Sequence, residues 1–271
     1  MSADLPGPSD LVNNDIPPPE PAADHEAGPT RKRRSGDGPT RKRRSGDGRP
    51  QSTMRLAPRP PGTQRYLVLG AGAGEDDVVA VDLATDVLVR LNGGLPALPD
   101  GTIRPFDVVD GSLSPAGTID DPARPEAVLI AGPLVRAGTA RGRRVRRLLS
   151  RIEAPPDTHL LGFPGSSWPY WEFRGGRPSI AVVTPSRGPL LFARAEDATT
   201  WVRFGWYRTD NWLPVQDPAA QAALASTRRR RLSGKHLTNA LGFRPEYLVV
   251  AVSRPRQGYC SKSVLAILPR S

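Results

Sequence analysis

Short apolar runs and strict alternation, rather than long helical stripes, dominate the hydrophobic pattern from residue 63 onward. "RYLVLG" at 65–70 and "DVVAVD" at 77–82 are runs of β-formers, and a hairpin through "DLATD" continues to "VLVRL" at 87–91. Residues 92–126 are rich in loop residues around one strand, "FDVVDG", and "AVLIAG" at 127–132 reads as a short buried strand. The period then changes. In "ARGRRVRRLLSRIEA", Val145, Leu148, Leu149 and Ile152 fall at i, i+3, i+4 and i+7, one apolar stripe of a helix that Pro155-Pro156 stop.

Strand patterns resume beyond that helix. "SIAVVTPSRGPLLFAR" reads as a hairpin turning at "PSRG", and "TTWVRFGWYRTDNWLPV" as a second with "TDN" as its turn. Alternation puts Val202, Phe204 and Trp206 on one face, and Trp201, Arg203 and Tyr207 on the other. "QDPAAQAALASTRRRRLSG" is a helix with Asp217 as N-cap, Pro218 at its first position, Arg228 to Arg231 in its last turn and Gly234 as a stop. "KHLTNALG" adds a short helix ending at Gly242, and "EYLVVAVSRPRQGYCSKSVLAILP" closes the chain as a hairpin. Together these predict an α+β fold, mostly antiparallel sheet built of hairpins, with two or three short helices. The same hairpin series is compatible with a partly closed barrel. A single β-rich domain over 63–271 is expected, with a division into two subdomains near 153 as the alternative.

The glycines of "GAGAGEDD" after the first strand pose the question of a dinucleotide loop. That loop needs G-x-G-x-x-G leading into a helix. Here Gly70, Gly72 and Gly74 are spaced by two, Glu75 stands where the third glycine belongs, and a strand follows. Three consecutive carboxylates would repel a phosphate, so the segment is read as a connection between strands.

Residues 1–62 carry few large apolar side chains and cannot offset a backbone ordering cost of roughly 1–2 kcal/mol per residue. A disordered tail is expected there. "GPTRKRRSGD" occurs at 28–37 and again at 38–47, a period too short for a solenoid unit. Met54 is an alternative start. No apolar run is long enough for a transmembrane helix and no signal-peptide core opens the chain, so a cytoplasmic protein without membrane contact is expected.

Charge changes the picture more than length does. The net charge is +11, and arginine supplies 34 of the 38 cations. Arginine, alanine, glycine and proline in this abundance are what GC-rich coding produces, so a high-GC bacterial origin is expected and the charge is partly genomic. Even so, 136–151 and 228–236 together hold 12 cations and no acid. Side chains expected to track phosphates are Arg141, Arg143, Arg144, Arg146 and Arg147 in the first cluster. In the second they are Arg228, Arg229, Arg230, Arg231 and Lys235. Residues 163–212 hold all five tryptophans. Trp201, Arg203 and Tyr207 there could stack bases, or else fill a core.

His25, His159 and His236 are far apart and there is one cysteine, so neither a structural metal site, a disulfide framework nor a cofactor is expected. Cys260 is read as a small buried hydrophobe. "DTHLLGFPGSSWPYWEF" places Asp157, His159, Ser166 and Ser167 close in sequence, which by itself does not make a triad. These features point to a non-catalytic domain that binds nucleic acid or another polyanion. The alternatives are a protein-interaction or structural domain with an aromatic patch, and a hydrolase-like enzyme using the 157–167 loop.

Overall fold

The computed structural model describes residues 56–72, 77–93 and 103–270. Residues 1–55 of the expected tail, with the repeat and Met54, and the Gly74-Glu75-Asp76 stretch lie outside the described residues, whereas 56–62 are described and Ala57 N–H donates to the Ala137 carbonyl at 2.9 Å.

Five strands close a barrel. They are β1 (Gln64–Ala71), β2 (Asp77–Asp82), β3 (Val87–Asn92), β4 (Asp107–Thr118) and β5 (Ala127–Thr139), joined in the order β1-β2-β3-β5-β4. All pairs are antiparallel except β3 with β5, and β4 returns to pair with β1. Tyr66, Val68, Val78, Ala80, Leu91, Val109, Ile130 and Leu134 fill the interior. The alternate residues Leu67, Leu69, Val79, Val81 and Val108 face a second core outside the barrel. Burial on both faces explains why these strands read as continuous apolar runs.

The glycine question has a packing answer. Gly70 follows a bulge in β1, and a Cβ there would lie 3.0 Å from the Ala266 Cβ. β1 continues into an antiparallel neighbour instead of a helix. Gly111 is tighter still, because a Cβ would come within 2.7 Å of Leu134.

Two buried carboxylates stitch the barrel. Arg65 donates through Nε and Nη2 to both oxygens of Asp110, each at 2.7 Å, and Arg136 donates to Asp107 at 2.6 Å. Arg136 is thus a structural partner inside the expected first basic cluster. β4 and β5 run further than the apolar pattern suggests. "SLSPAGT" of β4 pairs with residues 128–131 of β5, and "PLVRAGT" of β5 pairs with residues 107–110 of β4; both segments are half-exposed, and repeatedly bulged backbone pairing, not side-chain burial, extends the strands.

Helix α1 (Arg143–Ile152) buries Val145, Leu148 and Leu149 as its spacing predicts. Two further sheets follow. The elements are β6 (Ser167–Pro169), β7 (Ile180–Val183), β8 (Arg187–Ala193), β9 (Thr200–Trp206), β10 (Thr209–Pro214), helix α2 (Pro218–Ala225), β11 (Arg231–Leu232), helix α3 (Gly234–Leu241), β12 (Pro245–Val252) and β13 (Tyr259–Pro269). The sheet β6-β13-β12-β7 is a middle layer. Ile180, Val182, Val249 and Leu265 join α1 and the barrel in one core. Ala181, Val183, Leu248 and Val250 join Leu191, Val202, Phe204 and Leu213 of the outer sheet β10-β9-β8-β11 in another.

Three sequence expectations need correction. β7 and β8 do not form a hairpin; β7 pairs with β12 and β8 with β9 and β11. Every residue of β7 is buried, which demands a middle layer, whereas β8 alternates and keeps one open face. The turn of the β9–β10 hairpin is Tyr207-Arg208, with Tyr207 at φ 54°, immediately before "TDN", whose three residues lie in β10. Helix α2 stops at Ala225, because the Ser226 and Thr227 hydroxyls donate to the carbonyls of Ala223 (2.9 Å) and Leu224 (3.0 Å). Arg228 to Arg231 therefore lie in the segment leading into β11, not in a helical turn. At the other end of α2 Asp217 caps as expected, accepting from Ala219 and Ala220 N–H, and also from Ile267 N–H of β13.

Candidate nucleic-acid interface

The open face of the outer sheet gathers rings and guanidinium groups. Cross-strand register places Leu190 opposite Arg203 and Arg203 opposite Trp212, and Phe192 opposite Trp201 and Trp201 opposite Pro214. Strand alternation sends Val202, Phe204 and Trp206 inward, where each is buried, and leaves this second set outside. Trp212 stays 46% exposed although the chain has ample core to hide it. Two neighbours brace its ring. Phe192 meets it edge-on at 5.6 Å between centroids, and the Arg203 guanidinium sits 5.0 Å from its centroid. Arg194 lies over Trp201 at 5.3 Å, and the Trp201 indole donates to Thr199. A ring held this way loses little freedom when a flat partner stacks on it.

Two acids stand on or beside this face, Glu196, engaged by Arg194 at 2.6 Å, and Asp210. Arg203 donates to it at 2.7 Å and Arg187 lies 3.7 Å away. The Arg203 hydrogen bond holds its carboxyl below the usual range, so it stays ionised and neutralised. Tyr207, 51% exposed, projects from the turn with Arg208 5.5 Å from its ring centroid. At the far end β11 pairs Arg231 with Phe192, which brings the Arg228–Arg231 segment to the sheet edge. All four of those arginines are exposed, and no ion pair engages them among the described residues.

The expected site residues thus divide. Trp201, Arg203, Tyr207 and Arg228 to Arg231 belong to one sheet and its borders. Lys235 opens α3 beside it. Arg141, Arg143, Arg144, Arg146 and Arg147 are exposed on or just before α1, which packs against the other side of the middle layer. The two basic clusters do not form one continuous surface. Trp212, Phe192 and Arg187 are not among the expected site residues; with "TDN" read as the turn, Asp210 and Trp212 do not fall in one strand, and the shared face of the two is not legible.

Beside Trp212 opens a depression of about 340 Å³, lined also by His159, Gly165, Ser166, Asn211 and Lys262. Lys262 is buried and donates to the carbonyls of Phe163 (2.6 Å) and Gly165 (2.9 Å), with its ammonium 4.0 Å from the Phe163 ring centroid. Burial lowers its pKa to about 8. It straps the 159–166 loop to β13. Among the described residues no hydrogen bond joins the side chains of Asp157, His159, Ser166 and Ser167, and His159 points to solvent. Cys260 is buried in β13. Among the described residues no cluster of three or more His, Cys, Asp and Glu is arranged to hold a metal, and no helix is long and apolar enough to cross a membrane.

The fold and site define a β-rich protein with a closed five-stranded barrel, two four-stranded sheets and a basic aromatic sheet face. Compared with known protein families, characterised proteins and solved structures, the chain has no match.

Proposed function

We propose that the open face of the β8–β11 sheet binds single-stranded nucleic acid. The half-exposed Trp212, braced by Phe192 and Arg203 on a face bordered by uncompensated arginines, carries this reading. Unpaired bases offer flat surfaces to such rings, while guanidinium groups reach the phosphates between them. A duplex hides its base faces and leaves only its backbone for the arginines. The α1 arginines lie in another layer, where they add long-range attraction that salt screens within about 8–10 Å.

The test is a titration of the full chain with labelled single- and double-stranded oligonucleotides at several salt concentrations. Log affinity for the single strand should fall with log salt at about −0.7 per phosphate contacted. Trp212→Ala should weaken single-strand binding roughly 5- to 150-fold, the equivalent of one lost stack. Neutralising Arg143, Arg146 and Arg147 should matter only at low salt. Equal affinity for duplex and single strand, or indifference to Trp212→Ala, would refute the reading.

A second reading has its own observation. Trp171 and Tyr259 form an exposed edge-to-face pair, 5.8 Å between centroids, where the β6–β13 pair begins. Open aromatic area of this kind suits a protein partner, and a Trp171→Ala variant that lost such a partner while keeping oligonucleotide binding would favour it.

A further inference from the structure

The depression beside Trp212 is one of three that share walls. Thr209 and Asp210 line both it and a second hollow of about 340 Å³ under the β9–β10 turn, with Arg187, Tyr207 and Arg208. Ser186 lines both that hollow and a groove of about 710 Å³ beside α3. The groove walls come from the 184–189 crossover, from α3 and from the end of the β12–β13 pair where β12 begins and β13 stops, and they include Lys235, Thr238, Arg244 and Arg270. Glu246, its carboxylate, is engaged by Arg270 at 3.4 Å. Lys235 and Arg244 are exposed and have no carboxylate partner among the described residues.

We propose that a bound single strand continues from the Trp212 face, past the Tyr207-Arg208 turn, into the groove beside α3, where Lys235 and Arg244 contact its phosphates. This rests on the reading of the sheet face given above and extends it to a second, purely electrostatic segment. The track changes character along its length. Rings dominate at the Trp212 end, where bases stack. Cations and the hydroxyls of Thr184, Ser186 and Thr238 line the α3 end, which suits a sugar-phosphate backbone. The Asp210 carboxylate at the junction is held by Arg203 and Arg187, so it does not bar the passage of a polyanion.

Oligo-deoxythymidine of increasing length, from about 4 to about 16 nucleotides, spans the usual site sizes of single-strand binders. Anisotropy titrations of the full chain should show affinity rising with length. In a Lys235→Gln, Arg244→Gln variant the gain at longer lengths should be lost, and the salt slope should shrink by about 1.4, two phosphates' worth. The shortest oligomer should bind parent and variant alike. A variant that matches the parent at every length and salt concentration overturns the groove while leaving the sheet face standing. Binding at no length overturns both. Selective displacement of the long oligomer by a poly-glutamate peptide in the parent, but not in the variant, supports an anion track at the groove. A groove that takes the peptide while the oligomer's length dependence survives in the variant overturns the nucleic-acid assignment. Both side chains are exposed, and an unchanged melting temperature confirms that the variant folds.

Discussion

Lys262 makes the stability of this protein rise with pH in a window where most side chains are silent. Its pKa lies at about 8 in the folded chain against 10.5 when free, because burial penalises the ammonium. The unfolded chain therefore holds this proton, and the folded chain sheds it, between those two values. Unfolding free energy grows with pH wherever the unfolded state binds more protons. The contribution is complete above the unfolded value and lost as pH falls through the folded one. Between about pH 7 and pH 9.5 the full shift is worth roughly 2 kcal/mol, and water in the adjoining depression screens it to about 1–2 kcal/mol. Tyr66, whose burial raises it from 10.0 to about 12, acts only at higher pH, and the thiol of the buried Cys260, whose ordinary value of about 8.5 lies inside the window, is common to parent and variant and drops out of their comparison. Urea unfolding of the parent and of Lys262→Met across that range isolates the effect. The variant leaves the Phe163 and Gly165 carbonyls without their donor, so it starts less stable, but the difference in slope belongs to the lysine alone. Parallel stability curves for the two proteins would show that Lys262 does not titrate in this range.

Gly111→Ala should destabilise the chain by about 1–3 kcal/mol, because Leu134 is locked in the barrel interior 2.7 Å from the new methyl group; an unchanged midpoint of chemical unfolding would show that the barrel gives way more easily than its packing implies. Asp217→Ala strips the acceptor from three backbone N–H groups, those of Ala219, Ala220 and Ile267, at a cost of about 2–4 kcal/mol. Amide exchange should quicken at both the start of α2 and Ile267, and quickening at α2 alone would deny the link to β13.

Much of the fold is legible in local pattern. The stripe Val145-Leu148-Leu149 marks α1, Asp217-Pro218 starts α2, Gly242 ends α3 in the left-handed conformation, and the closing hairpin pairs as its turn residues suggest. Each of these signals is carried by residues a few positions apart. The failures are of another kind. "SIAVV" and "GPLLFAR" look like partners because a turn separates them, yet whether neighbouring strands pair depends on what covers each face. β7 is covered on both sides and goes to the middle layer. "SLSPAGT" lacks strand composition, and its pairing comes from β5 alone. The candidate site shows the same division. Alternation separates Trp201 and Arg203 from Val202 and Phe204. No spacing rule relates Ser186, Arg208, Lys235 and Arg244, which line adjoining hollows, since their distances in sequence carry no period.

The arginines show why composition could not assign this chain a surface. A compositional excess of arginine does not by itself select positions, but carboxylates are not distributed alike in the folded protein. Asp110 and Asp107 are buried in the barrel, and each takes an arginine out of circulation, Arg65 and Arg136. A guanidinium paired there offsets the cost of holding a carboxylate away from water, so its presence says nothing about a partner. Arg203 is intermediate: Asp210 holds one edge of its plane while its face lies near Trp212, an arrangement that orients both groups toward solvent. Arg228 to Arg231, Arg208, Lys235 and Arg244 have no such engagement with acids among the described residues. Repulsion among unneutralised cations works against the compact state. An anionic strand along the outer sheet and its groove, as proposed above, would relieve that repulsion there, whereas the exposed α1 arginines, of which Arg151 alone has an acid partner among the described residues, Asp86, would keep theirs.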